Sequence, residues 1–187
     1  MRKVTRDEIL DYVTYTERRA KTRAAVLEAK RPRRIHVGRH LTFLFENHET
    51  IRYQIQEMMR IERIVKESDI QHELRTYNEV LGDTGELGCT LMIEIDDADA
   101  RAIKLTRWLG LNPHLYIEVE DGERVGPSWD PRQVGTDRLS SVQYLKFDLK
   151  GRAPVAIGSS IDDPDVGVHH VLTSDQRTAL TADLSDR

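Results

Sequence analysis

The chain has 187 residues, 39% hydrophobic and 32% charged, with a formal net charge of −4, which suits one substantial domain and excludes a disordered or low-complexity chain. Its single cysteine, Cys89, excludes an internal disulfide and a cysteine-ligated metal cluster. No apolar run approaches the ~20 residues of a membrane-spanning helix, and MRKVTRDEIL lacks the apolar run of a secretion signal, so we expect a soluble, cytoplasmic protein.

The first 34 residues are basic, with 11 Lys and Arg against 5 Asp and Glu, and the remainder carries a net charge of −10. Thr5 and Glu8 have the spacing of a capping box that opens a helix, which Pro32 ends near Lys30. Because its tyrosines lie toward the apolar side, we expect this helix to lie on the acidic body of the chain and not to bind nucleic acid. Its predicted apolar stripe contains Ile9, Val13, Thr16, Ala20, Ala24 and Leu27.

Two short strand-like runs follow, at 35–37 and 41–45, and the Gly38-Arg39-His40 turn predicts that they form a hairpin. His36, His40 and His48 lie within thirteen residues of one another. Four-residue spacing along a hairpin does not bring imidazoles together as it would on a helix, so exposed turn histidines are the simpler interpretation.

Two amphipathic helices are predicted next, over 49–65 and 70–81. The first has an apolar stripe of Ile51, Ile55, Met58, Ile61 and Val65 and an opposite face of Arg52, Gln56, Arg60 and Arg63. Ser68 and Gln71 form a second capping box for the next helix. The stripe of that helix contains Ile70, Leu74, Tyr77 and Leu81.

Glu57 and Glu73 lie at the borders of these apolar stripes, so antiparallel packing would bring them together at low dielectric, with Glu62 nearby. Carboxylates from two helices with a histidine are the ligands of a non-haem iron or manganese site. We therefore predict Glu57 and Glu73 as metal ligands, with His40 from the hairpin as the nitrogen ligand and His72 in reserve. The alternative is a buried structural network in which a glutamate pairs with an arginine of the first helix, such as Arg23.

The remaining chain alternates strands with short helices. Asp97 is predicted to cap a helix that ends at Gly110, Asp121-Gly122 is a hairpin turn, and Thr173 with Gln176 opens a terminal helix. The pattern over 141–149 slips between Tyr144 and Leu145, which predicts a bulge. The predicted strands cover 90–95, 115–120, 141–149, 153–157 and 166–172.

These elements predict an α+β fold, with N-terminal helices and a hairpin packed on a mostly antiparallel C-terminal sheet that carries two short helices. We expect a single domain over 1–187, with a helical part over about 1–81 and a sheet part over about 86–187. The chain has no Walker phosphate loop, no GxGxxG after a strand, no HExxH and no nucleophile elbow, which excludes the commonest nucleotide-binding, zinc-protease and hydrolase sites.

The runs HLTFLFEN, YQIQEM, IQHELRTYNE and SVQYLKF resemble a bacterial family, domain-of-unknown-function family 3501. The resemblance spans nearly the whole chain and supplies no catalytic residues. It implies a setting in which members accompany rubrerythrin-like di-iron proteins and iron–sulfur oxidoreductases by gene neighbourhood.

Two function classes therefore stay open. The first is a metal-binding or accessory component, using iron or manganese, of a cytoplasmic redox or peroxide-handling system, with a rubrerythrin-like di-iron protein or an iron–sulfur oxidoreductase as its partner. The second is a non-catalytic partner or scaffold whose buried polar residues are structural. A homodimer is compatible with both classes.

Overall fold

The computed structural model describes residues 1–131 and 134–185. Within these ranges the chain forms five α-helices and eight strands, which confirms the predicted α+β class. The helices are α1 (Tyr12–Lys30), α2 (His48–Glu62), α3 (Glu67–Asn78), α4 (Ala98–Arg107) and α5 (Ser174–Ser185). The strands are β1 (Arg34–Val37), β2 (Leu41–Glu46), β3 (Glu86–Ile93), β4 (Leu115–Val119), β5 (Arg124–Val125), β6 (Val142–Asp148), β7 (Pro154–Ser159) and β8 (His169–Val171).

The strands form two antiparallel four-stranded sheets, ordered β1-β2-β3-β6 and β5-β4-β7-β8. The predicted hairpin forms β1 and β2 around Gly38, whose φ of +64° suits a residue without a side chain. Since β2 pairs with β3 along its whole length, the hairpin is an integral part of the first sheet. The single-domain extent over 1–187, with its division near residues 81–86, stays a prediction.

Two hydrophobic clusters lie on either side of the first sheet. The larger takes residues from both sheets, α4 and α5, including Phe43, Trp108, Phe147, Ile157 and Leu180. The smaller takes residues from α2, α3 and the N-terminal segment, including Val4, Ile51, Ile55, Met59 and Leu74. The first sheet therefore separates the helical layer from the larger core. Cys89 is fully buried on the sheet's inner face, as expected for a core residue.

The N-terminal helix differs from its prediction at its start. Thr5 and Glu8 do form the predicted capping box, but it closes only a short 3-10 turn over Arg6–Glu8. Ile9 then adopts an extended conformation and is buried in the helical cluster, which interrupts the helix. The long helix α1 begins later, where the Asp11 carboxylate accepts hydrogen bonds from the Val13 and Thr14 amides.

The predicted apolar stripe of this helix is also wrong, because it faces solvent. Val13 and Leu27 are 50% and 44% exposed, and Ala20 and Ala24 are exposed as well. The buried residues of α1 are Tyr15 and Val26, which lie on the opposite side of the helix.

Of the two central helices, α2 is shorter than predicted and buries a partly different face, whereas α3 has the predicted length but begins three residues earlier. Arg63, in the left-handed conformation, ends α2, so Val65 lies beyond the helix and is exposed, as is Ile61. Gln56 was assigned to the solvent face but is buried, where its amide pairs with the backbone N–H and C=O of Leu10. The predicted capping box at Ser68 does not form, since α3 already begins at Glu67, with Lys66 as its N-cap residue.

The C-terminal strands follow the prediction with one correction. The predicted bulge between Tyr144 and Leu145 is absent, because β6 pairs with β3 in continuous register. The apparent slip arises from Gln143, a polar residue on the buried face, whose side-chain oxygen accepts a hydrogen bond from Asn112. The helix cap at Asp97 and the capping box of Thr173 with Gln176 are confirmed.

A buried ion pair ties the end of α1 to α5. Arg33 binds Asp183 through two hydrogen bonds of 2.7 and 2.8 Å, and the two side chains are only 11% and 7% exposed. No helix within the described ranges is both long and apolar enough to cross a membrane.

Candidate functional site

The predicted ligand Glu57 lies between α1 and α2 in a polar network. Its two oxygens accept hydrogen bonds from Tyr15 at 2.7 Å, from Arg19 at 2.7 and 2.9 Å, and from Arg60 at 3.2 Å. Burial by itself raises the pKa of Glu57, but these hydrogen bonds outweigh it and bring the pKa to about 2. Glu57 therefore takes part in a buried network of the kind predicted as the structural alternative. Its arginine partner from α1 is Arg19, whereas the predicted partner was Arg23.

Glu73 and His72 lie elsewhere, at the corner between α2 and α3. They line an open cleft of about 450 Å³ together with Glu62 and Asp69. Burial and the neighbouring Glu62 carboxylate raise the pKa of Glu73. This cleft is the nearest feature to the predicted metal site, and it contains two of the four predicted residues.

His40 lies in the turn immediately before β2, against α4. Its Nε2 is 3.1 Å from the Lys104 ammonium and its Nδ1 is 3.2 Å from the Glu94 carbonyl. Because the ammonium donates, Nε2 accepts, so the proton of the neutral imidazole lies on Nδ1. Lys104 also pairs with Asp165 at 2.6 Å. His40 is thus held in place by Lys104 of α4, which in turn is held by Asp165.

The structure therefore distributes the four predicted ligands over three environments. Across residues 1–131 and 134–185, no group of three or more His, Cys, Asp or Glu side chains is arranged to hold a metal ion. Both oxygens of Glu57 are already occupied by cationic or phenolic donors, so binding a metal there would require breaking the contact with Arg19.

A different feature has the properties of a ligand site. A cavity of about 460 Å³, here called the aromatic groove, lies between the end of α3 and the outer face of β6. Its volume is within the ~300–1,000 Å³ range of small-molecule pockets. It is lined by Lys3, Thr76, Tyr77, Glu79, Val80, Ser128, Trp129, Asp130, Tyr144, Leu145 and Lys146.

Three separate parts of the chain build the groove. Asn78 holds the N-terminal segment against α3, because its side-chain amide pairs with both the N–H and the C=O of Val4. Ser128 and Lys146 exchange two backbone hydrogen bonds of 2.7 and 2.9 Å, which fixes the Trp129 segment to β6. Gly88 allows the chain near Val80 to lie directly on the sheet, since a Cβ there would collide with the Val80 carbonyl.

The groove combines aromatic surfaces with an unpaired cation. Tyr77 is partly buried, and this burial raises its pKa. Lys146 is half-buried, and within the described part of the chain its ammonium has no hydrogen bond or ion pair. A partly desolvated ammonium beside aromatic rings is a favourable position for the anionic group of a ligand.

A larger cavity, of about 920 Å³, lies between α4 and residues 135–141. It is more open, and small and polar side chains form most of its wall, so it offers less apolar surface to a ligand. The aromatic groove was not predicted from the sequence, although Tyr144 carries a signal. It is a large aromatic residue on the solvent side of an alternating strand.

The family model for "Protein of unknown function (DUF3501)" matches residues 3–184. The chain is also similar to a novel protein of unknown function from Burkholderia pseudomallei, known from a crystal structure, with 31% identity and a TM-score of 0.87. That similarity covers 98% of this chain and 100% of the other. No curated protein matches the chain.

Proposed function

The chain belongs to the DUF3501 family of proteins of unknown function, and we propose that it is a non-catalytic binding protein whose ligand is a small planar molecule carrying an anionic group. The ligand occupies the aromatic groove. This proposal develops the second function class, that of a partner or scaffold protein, because it assigns the buried Glu57 network to structure and ligand binding to a separate surface.

One observation carries the proposal: three aromatic residues and an unpaired lysine line the same cavity. Tyr77, Trp129 and Tyr144 provide flat apolar surfaces that stack on a planar ligand. Lys146 projects from β6 two residues beyond Tyr144, so both side chains lie on the same face of the strand. Glu79, at the exposed rim, disfavours a second negative charge at the mouth of the groove.

The proposal can be tested with 8-anilinonaphthalene-1-sulfonate, a planar anion whose fluorescence rises in apolar surroundings. We expect saturable binding with one site per chain, accompanied by a change in Trp129 emission. The second tryptophan, Trp108, is fully buried in the larger core and serves as an internal reference.

Variants then assign the site. Tyr144→Ala should abolish saturable binding, and Lys146→Gln should weaken it about tenfold, which corresponds to ~1.4 kcal/mol. Lys150→Gln is the matched control, since Lys150 is an exposed lysine just beyond the same strand and outside the groove. Equal affinities for Lys146→Gln, Lys150→Gln and the unaltered protein would overturn the proposal.

The metal hypothesis stays a prediction beside this one. The α2–α3 cleft, with Glu62, Asp69, His72 and Glu73, is the place where iron or manganese would find carboxylate and imidazole ligands. Elemental analysis of protein purified without a metal-affinity tag tests it, with Glu73→Gln as the comparison. Stoichiometric iron or manganese that Glu73→Gln removes would support the first function class, with a rubrerythrin-like or iron–sulfur partner.

A further inference from the structure

The apolar stripe of α1 is the strongest sequence pattern that the fold leaves unused. Val13 and Leu27 are about half exposed, and Thr16, Ala20 and Ala24, which lie between them on the same side, are exposed too. The opposite side of α1 already packs on α2 through Tyr15 and Arg19. An amphipathic helix therefore presents its second apolar face to solvent.

The stripe is symmetric along the helix. Val13 and Leu27 each lie seven residues, or two turns, from Ala20, so the larger side chains are at the ends and the smallest at the centre. Small central residues allow a facing helix to approach at the short end of the ~8–10 Å range of helix pairs.

We propose that this stripe binds a second copy of the chain, with the two α1 helices packed antiparallel about a twofold axis at Ala20. An isologous interface requires a self-complementary surface, and this register supplies one. Val13 then faces the partner's Leu27, Thr16 faces the partner's Ala24, and Ala20 faces its own copy.

The charges beside the stripe favour the antiparallel arrangement. At 100° per residue, Glu17 and Lys21 lie about 40° and 80° to one side of Val13, and Arg23 lies about 80° to the other. A twofold axis at Ala20 brings like flanks together, so Glu17 lies beside the partner's Lys21. This attractive contact occurs twice and outweighs the single approach of Lys21 to its own copy across the axis. A parallel pair would place Lys21 beside the partner's Arg23, which is repulsive.

These charges are available for such contacts. Glu17, Lys21 and Arg23 are exposed, and none has an ion-pair partner among the described residues. The alternation of Glu17 and Glu28 with Lys21 on one flank suits a surface of the same mixed charge, and it disfavours a uniformly acidic partner.

Cysteine cross-linking tests the axis directly. Ala20→Cys should give a disulfide-linked dimer on mild oxidation, because only residues at the twofold axis meet their own copies closely enough to bond. Ala25→Cys, the matched control on another exposed face of α1, should stay unlinked. The native Cys89 is fully buried, which keeps the background low. Equal cross-linking of the two variants would overturn the proposed axis.

Sedimentation velocity tests the association without added thiols. One pair of 19-residue helices is a small interface, so we expect a concentration-dependent dimer with a dissociation constant on the order of micromolar. Ala20→Glu should give a monomer, and Ala25→Glu should behave as the unaltered protein. Glu17→Lys should weaken the dimer, and Glu17→Lys with Lys21→Glu should restore it. An unaltered protein that stays monomeric at about 100 µM would refute the proposal.

Discussion

Glu57 and Glu46 are buried to nearly the same extent, at 9% and 6% exposure, yet their surroundings drive their protonation in opposite directions. Glu57 is held between two arginines and a tyrosine, and its pKa falls to about 2. Glu46, at the end of β2, contacts the hydroxyls of Thr50 and Thr90. Burial raises the pKa of Glu46, and the nearby Lys30 and the two threonines only partly offset that rise.

The difference between the two sites shows that the donors around a buried carboxyl group decide in which direction its pKa shifts. Two hydroxyl donors satisfy the hydrogen bonding of Glu46 but do not neutralise its charge, so the pKa of this carboxyl lies above its ordinary value. Two guanidinium groups neutralise Glu57 at low dielectric, so the ionised form is favoured. The α1–α2 interface thus contains an ion-paired carboxylate, whereas the β2–α2 junction contains a carboxyl whose burial opposes ionisation.

The largest expected effect is at Glu57. Glu57→Ala leaves Arg19 without its partner and the Tyr15 hydroxyl buried without an acceptor. Loss of one partner from a buried ion pair costs ~3–5 kcal/mol, and because Arg19 is 32% exposed we expect about 2–3 kcal/mol. Urea denaturation measures the free energy of unfolding. Glu62→Ala, an exposed glutamate of the same helix, is the control, and an equal loss in both variants would contradict the comparison.

The second-largest expected effect is the dependence of folding stability on pH, which also arises from Glu57. The folded-state pKa of Glu57 lies below the ordinary 4.5, so its contribution is complete above pH 4.5 and is lost as pH falls toward 2. Glu57→Gln should remove that part of the acid sensitivity, so its stability should fall less than that of the unaltered protein over this window. Parallel stability curves from pH 5 to pH 2 for the two proteins would show that Glu57 is not held ionised.

The smallest expected effect on stability is at Glu46, whose dependence on pH has the opposite sign to that of Glu57. Because its folded-state pKa is raised, Glu46 favours folding below pH 4.5 and loses that contribution as pH rises through its folded-state pKa. Glu46→Gln keeps the shape and the hydrogen bonding without the charge. We expect stability equal to or up to about 1 kcal/mol above that of the unaltered protein at pH 7. Thermal unfolding at pH 4 and pH 7 measures it, and marked destabilisation at pH 7 would indicate a required carboxylate.

The sequence identified Glu57 as a buried group but not its partner. Helical spacing predicted that Glu57 is buried at the edge of an apolar stripe; it is buried, but on the side of α2 that faces Tyr15 and Arg19 of α1. It assigned the wrong buried face to α1, because Val13, Ala20 and Leu27 form a cleaner apolar pattern than Tyr15, Arg19 and Val26. Hydrophobic periodicity identifies the apolar face of a helix, but an ion pair holds the α1–α2 interface. The sequence therefore predicted Arg23, and not Arg19, as the partner of the glutamate.

The strands and turns were largely predictable, because they depend on local signals such as Gly38, Asp97 and Asp121-Gly122. The aromatic groove was not, since Tyr77, Trp129 and Tyr144 come from three elements and no local pattern joins them. The pairing of Ser128 with Lys146, which completes the groove, joins a residue outside the named strands to β6.

The ion pair between Arg33 and Asp183 bears on the order in which the chain can fold. During synthesis Arg33 emerges 150 residues before its partner, and Leu180 and Leu184, which complete the larger core, emerge equally late. The first sheet likewise waits for β6 before β3 gains its second neighbour. Folding therefore cannot finish while the last helix is still inside the ribosome, and a nascent chain that ends before α5 leaves a buried arginine unpaired and the core open to chaperones.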